Sequence, residues 1–248
     1  MRHSSEEDAV KYIDGEYRKV TNCIDVAYLR KQIQKGNVYA EEQTNGMVFL
    51  VDRESHYLLF YFLLEPIALN IPIPHKPLVC EEFCRGDVTS AVMEASEFSI
   101  FSSYCRMGKR GSGGEKVAQE HATQDALSMV QEYFNSYSDS LPTKEEVGEF
   151  LEEHYEISCI KPSGILLYDI KKAVSTLKYI TVRPQERGKG LAGTLMEQYF
   201  EKTAGEAKRY LLWVNEKNEA ALKLYHRFGY QADGFRKVVW EKGLWKTK

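Results

Sequence analysis

The 248-residue sequence is poor in features that would place it outside the cell or in a membrane. It has five cysteines (Cys23, Cys80, Cys84, Cys105 and Cys159), an odd number with no framework spacing, which excludes a disulfide scaffold and favours reduced thiols. Its longest apolar run, residues 57–64, is far too short to span a bilayer. The N-terminal residues 1–8 contain no apolar stretch of the kind a signal peptide needs. A net charge of −3 supplies neither the basic excess that nucleic acid demands nor an acidic tail. His75, Cys80, Cys84 and Cys105 match no common zinc spacing, so no metal is expected. These shortages together describe a soluble, cytoplasmic protein without a membrane or nucleic-acid partner.

What is present suffices for a core. Hydrophobic residues make up 43% of the chain, enough for one large domain or two of ordinary size. The pattern also repeats. Residues 37–66 align without a gap to residues 155–184, placing Gly46 on Gly164, Tyr61 on Tyr179 and Pro66 on Pro184. Each stretch reads as a three-stranded meander. Upstream, Asp25 and Thr143 are matching helix N-caps, each followed by apolar residues at i+4 and i+8. Further back, residues around Asp8 overlay those around Asp125, with Ile13 on Val130 and Tyr17 on Phe134. The chain therefore reads as the same helix, helix, strand, strand, strand order twice. Residues 107–115 hold four glycines and read as the flexible connection between the halves, giving domains 1–110 and 111–248.

Two motifs in the second half carry chemistry. In the first, a strand over residues 177–182 is expected to put Lys178, Ile180 and Val182 on one face and Leu177, Tyr179 and Thr181 on the other. Pro184 ends it, Gly188 and Gly190 make a tight turn, and a helix over residues 191–203 follows. Unpaired amides at such a helix start bind a diphosphate, helped here by Arg187 and Lys189. In the second, a buried strand over residues 210–214 precedes a helix. Asn218 is its N-cap, Ala221, Leu224, Tyr225 and Phe228 follow at helical spacing, and Gly229 is its closing glycine.

Together the motifs resemble the GNAT superfamily of acetyl-CoA-dependent N-acyltransferases. The loop pattern Gln/Arg-x-x-Gly-x-Gly/Ala is met by Gln185, Gly188 and Gly190; the later Asn, Ala, Tyr, Gly series by Asn218, Ala221, Tyr225 and Gly229. The resemblance implies an α+β (mixed α/β) fold, here two GNAT-like domains, each a mostly antiparallel sheet flanked by helices. It implies that the backbone of Ile180, Thr181 and Val182 pairs with the pantetheine arm of acetyl-CoA. The amides of Arg187, Gly188, Lys189, Gly190, Leu191 and Ala192 would cradle the diphosphate beside Gln185. Asn215 and Asn218 would lie near the pantetheine, and Tyr225 would protonate the departing thiolate. Asp169, Glu216 and His226 are candidate bases for the acceptor amine, as is a water chain.

In the first half, the glycine turn is replaced by residues 64–72, which have no glycine, no cation and two prolines. That half resembles a degenerate repeat that packs against the active half without binding coenzyme A. The chain would then act as a monomer imitating a dimer, or as a homodimer. The expected activity is acyl transfer to a primary amine of a small molecule or protein, the alternative being a non-catalytic acyl-CoA sensor. The acceptor is expected to be chosen by residues 136–142 and 231–237, whose mixed charge selects none.

Overall fold

The computed structural model describes residues 2–72, 75–86, 89–115, 117, 123–135, 137, 141–143, 146–148, 156–160 and 163–243. The chain divides into two compact units, residues 1–103 with 236–248 and residues 104–235.

In the first unit, the short strand β1 (Arg2–His3) leads into α1 (Glu6–Asp8), which continues as a wider turn over Ala9–Ile13. Strand β2 (Val20–Thr21) and α2 (Val26–Gln34) follow, the latter started by the Asp25 carboxylate on the Tyr28 amide at 2.9 Å. Then come β3 (Val38–Gln43), β4 (Gly46–Asp52), β5 (Tyr57–Leu63), β6 (Leu78–Arg85) and α3 (Ala91–Ala95). The order within this unit is β1-β3-β4-β5-β6, with β2 also on β5. Strand β4 shows why the unit has two layers. Met47, Phe49 and Val51 enter a cluster with Leu29 and Ile33 of α2, while Val48 and Leu50 enter another with Val92 and Met93 of α3. Alternation buries the strand on both faces, each large side chain contributing about 1.5–3 kcal/mol.

The second unit repeats this plan. After α4 (Gln124–Tyr133) come β8 (Glu156–Ile160), β9 (Gly164–Lys171), β10 (Val174–Val182), α5 (Leu191–Thr203), β11 (Arg209–Asn215) and α6 (Glu219–Arg227). Thr143 and Glu146 exchange side-chain and backbone bonds at 3.3 and 2.9 Å, a capping box where a second helix was expected to start. Strand β7 (Ser99–Arg110) pairs with β11, extending the order β8-β9-β10-β11-β7. In β9, Leu166 and Tyr168 face α5 and Ile165 and Leu167 face α4.

Three details differ from expectation. The connection expected over residues 107–115 is strand as far as Arg110, because Gly108 pairs with Leu211 and Met107 is fully buried. The boundary at 110/111 also differs from the division of contacts. Residues 104–110 supply β11 with its antiparallel partner, and residues 236–242 of the last strand, β12 (Gln231–Lys242), put Val238 and Trp240 into the first unit's core. The meanders do repeat, but not without a gap. Gly46 pairs with Gln43 and Leu63, whereas Gly164 pairs with Ile160 and Val182. Each of two places in the second meander holds one residue more, in the β8–β9 turn and inside β10.

His56, in the β4–β5 hairpin, is 4% exposed, and burial with Arg53 and Lys76 nearby pushes its imidazole down to about 4. The folded value lies below the ordinary 6.5, so the stabilisation is complete above pH 6.5 and is lost as pH falls towards 4. Thermal unfolding followed from pH 7 to pH 4 should show a fall of up to about 3 kcal/mol that His56→Gln largely removes. An unchanged slope in that variant would refute the assignment.

Candidate functional site

The extra residue in β10 is where the site begins. Pairing with β9 shifts between Leu177 and Tyr179, a bulge at Lys178. Its effect on the faces is direct: Leu177 packs in the α5 cluster, Tyr179 in the α4 cluster, and Val182 again in the α5 cluster. The even alternation expected over residues 177–182 therefore fails, and Leu177 and Tyr179 lie on opposite faces. In β5 no such break occurs; Tyr57, Leu59, Tyr61 and Leu63 share one cluster.

The parallel pairing of β10 with β11 stops at the same point. It runs from Val174 on Arg209 to Leu177 on Leu212 and goes no further, while β10 stays on β9 to Val182 and β11 stays on β7 to Asn215. The two strands part, leaving the edge of residues 178–182 open. The Arg183 amide donates to the Ser163 carbonyl at 2.8 Å, which sets the alternation behind it. Thr181 bonds towards β9, and the amides and carbonyls of Ile180 and Val182 turn into the opening. Of the three backbones expected there, two are so directed and Thr181 is not.

At the end of that edge the chain makes a short turn, Pro184–Glu186, containing Gln185, and enters α5. Gly188 and Gly190 have φ of +81° and +82°, and a Cβ at either would meet nothing within 4 Å. Glycine is required there by backbone conformation rather than by space. The Arg187 amide, expected in the cradle, donates instead to the Pro184 carbonyl at 3.2 Å, and its Nε donates to the Val182 carbonyl at 3.1 Å. Among the described residues, the amides of Gly188, Lys189, Gly190, Leu191 and Ala192 donate to no carbonyl, so five backbone donors are left at the helix start. Lys189 is paired with Glu186 at 3.0 Å. A cation not anticipated from the sequence, Arg227, lies with its guanidinium 2.4 Å from where a Cβ of Gly193 would stand, against the first turn of α5.

Across the opening, Asn215 and Asn218 shape the entry to α6. The Asn215 side chain accepts from the Lys217 amide at 2.9 Å and that of Asn218 from the Ala221 amide at 3.1 Å, so each keeps its NH2 donors. Gly229, at φ +82°, closes the helix as expected, with its amide on the His226 carbonyl and that of Tyr230 on the Tyr225 carbonyl. Tyr225 is 4% exposed, shares a cluster with Val182 and Val214, and burial pushes its phenol above the usual range.

The candidate bases are otherwise engaged. Asp169 is buried and lies 3.6 and 3.8 Å from Lys178 and Lys171, opposite Thr176 and before the bulge. His226 meets the Tyr230 carbonyl through Nδ1 at 3.2 Å, and Glu216 is half-buried after β11. Residues 231–237, expected as an acceptor loop, are part of β12; most of residues 136–142 lie outside the described residues. Among the described residues there is no group of three or more His, Cys, Asp or Glu placed to hold a metal, and no helix is long and apolar enough to cross a membrane.

The FR47-like protein family model matches residues 167–240, the span from β9 to β12 that holds the bulge, the glycine turn and Tyr225. No curated protein matches the sequence significantly. Among solved structures, a GCN5-related N-acetyltransferase from Sphaerobacter thermophilus superposes with a TM-score of 0.55 at 16% identity, over 81% of this chain and 78% of that one. This is the GNAT fold. A tandem GNAT protein from the clavulanic acid biosynthesis pathway is similar over 86% of this chain and 85% of its own, with a TM-score of 0.52 and 10% identity. A GNAT-family acetyltransferase from Colwellia psychrerythraea covers 97% and 98%, with a TM-score of 0.50 and 11% identity. The GNAT likeness thus extends over both units.

Proposed function

We propose that the second unit transfers an acetyl or related short acyl group from coenzyme A to a primary amine. The observation that carries this reading is the parting of β10 from β11 beside a helix start with five unengaged amides. A pantetheine arm laid along β10 would find the Ile180 and Val182 backbones, as a strand finds a sheet edge. The diphosphate would meet the amides of residues 188–192, with Lys189, Arg187 and Arg227 as nearby cations. The Asn215 and Asn218 NH2 groups would face the arm from the other side. Residues 104–235 form the catalytic domain in this reading. The first unit is a degenerate copy, since no helix stands between β5 and β6 among the described residues.

The amine attacks the thioester carbonyl, the C–N bond forms and the C–S bond breaks, and a backbone amide polarises the oxygen. Water takes the amine proton, because Asp169 and His226 are tied elsewhere. Tyr225 donates a hydrogen bond and then its proton to the departing sulfur. Its raised pKa keeps the phenol protonated beyond pH 10, so this group imposes no loss of activity on the alkaline side below that value.

Thiol release from acetyl-CoA over a panel of primary amines tests the proposal. Tyr225→Phe should lower kcat about 10²–10⁴-fold with acetyl-CoA affinity kept. Unchanged turnover would remove Tyr225 from the chemistry. Tight binding without turnover on any amine would favour the acyl-CoA sensor.

A further inference from the structure

In the first unit the opening that corresponds to the β10–β11 split is filled by the chain itself. Strand β5 pairs with β6 in parallel only from Tyr57 on Leu78 to Leu59 on Cys80. Its other edge is occupied along its whole length by β4. Strand β2 nevertheless pairs with β5, Val20 on Leu63 and Thr21 on Phe62, so β2 lies on the β6 side, beyond the point where β6 has parted.

Asn22 completes the filling. Its Nδ2 donates to the Leu59 carbonyl at 2.8 Å and the Glu81 carbonyl at 3.2 Å, one on each strand, and its Oδ1 accepts from the Tyr61 amide at 2.8 Å. The side chain is buried. By register, Tyr61 lies opposite Val48 as Ile180 lies opposite Leu166, so the amide Asn22 satisfies is the counterpart of the one left open in the second unit. A side-chain carboxamide with one acceptor and two donors presents the same groups as the amides of an extended ligand.

We infer that residues 20–22 are a built-in occupant of the first unit's cleft, holding β5 and β6 together where the second unit leaves room for an acyl carrier. The comparison with a pantetheine arm rests on the function proposed above; the filled cleft does not. The first unit stays ordered without a ligand, and the chain takes up one acyl-CoA. Residues 64–72 agree with this. In place of a helix start, an extended segment is anchored there by Gln43 on the Asn70 amide and by Ser96 on the Leu69 amide, each at 2.8 Å.

Cys80 reports on the plug, since its thiol is fully buried with Sγ 3.2 Å from Asn22 Nδ2. Maleimide labelling of the full-length protein, read site by site by mass spectrometry, should leave Cys80 unmodified while the half-buried Cys84 reacts. Asn22→Ala should raise the Cys80 rate tenfold or more relative to Cys84. Should that variant fail to fold, the wild-type comparison decides: labelling of Cys80 as fast as Cys84, or a Cys80 rate altered by saturating acetyl-CoA, overturns the inference. Calorimetry should give one acetyl-CoA per chain, and a second equivalent also overturns it. If no acetyl-CoA binds, the proposed function falls, and Cys80 labelling alone still decides the plug.

Discussion

A chain cut between residues 110 and 111 is expected to give two fragments with no cooperative unfolding transition. All seven residues of β11 are in register with residues 104–110, so the fragment 111–248 loses the whole antiparallel partner of that strand. Met107, fully buried, goes with it, at about 1.5–3 kcal/mol. So does Lys109, whose ammonium lies over the Phe200 ring at 4.2 Å and donates to the Phe228 carbonyl at 3.0 Å, capping the end of α6. A hydrogen bond from a charged donor contributes about 1.5–3 kcal/mol. These losses, with a row of unpaired backbone groups on β11, approach the whole stability of a domain, about 5–15 kcal/mol. The fragment 1–110 lacks Val238 and Trp240 and the Lys237 ammonium that pairs with Glu81 at 3.1 Å. Circular dichroism melts would show it, and a fragment begun at residue 99 should recover a transition for the second unit. A sharp melt of fragment 111–248 near that of the whole chain would refute this account of β7.

Which features were legible in the residues follows from the range of the forces involved. The N-cap at Asp25, the helix Leu191–Thr203, the Asn218 cap and the Gly229 close are set within a few residues, and each stands where local chemistry puts it. The bulge at Lys178 was hidden because both Leu177 and Tyr179 are apolar, so a strand reversing its face midway looks like one that alternates evenly. The gap-free overlay of Tyr61 on Tyr179 concealed it further: the register puts Ile180, not Tyr179, in the place of Tyr61. Partners distant in sequence were out of reach altogether. Nothing near Gly108 announces that Leu211 will lie beside it, and four nearby glycines read more simply as a linker. Asn22 carried no signal either, since its partners Leu59, Tyr61 and Glu81 are almost forty residues or more away.

Gly190→Ala is expected to cost acetyl-CoA affinity out of proportion to its cost in stability, and Gly86→Ala supplies the control. Both glycines have φ near +80°, at +82° and +80°, and at neither would a Cβ meet any atom within 4 Å. Alanine in that conformation is strained by about 1–2 kcal/mol, so the two variants should lose similar stability in a urea melt. Their positions differ in what the backbone does next. Gly190 is the N-cap of α5, and its carbonyl accepts from the Gly193 and Thr194 amides at 2.8 and 3.2 Å. Relief of the strain by rotating φ would turn the neighbouring amides of Lys189 and Leu191 out of their present directions. Gly86 follows β6 in the first unit, where its carbonyl accepts from Arg236 at 3.3 Å, away from the start of α5 in sequence. Loss of one such donor to a diphosphate should weaken binding about 10–100-fold, a charge-assisted bond being worth about 1.5–3 kcal/mol. Calorimetric titration of the two variants separates the possibilities. Equal loss of affinity in both would mean that strain alone acts through global stability. Full affinity in Gly190→Ala would mean that the amides at the start of α5 do not hold the diphosphate.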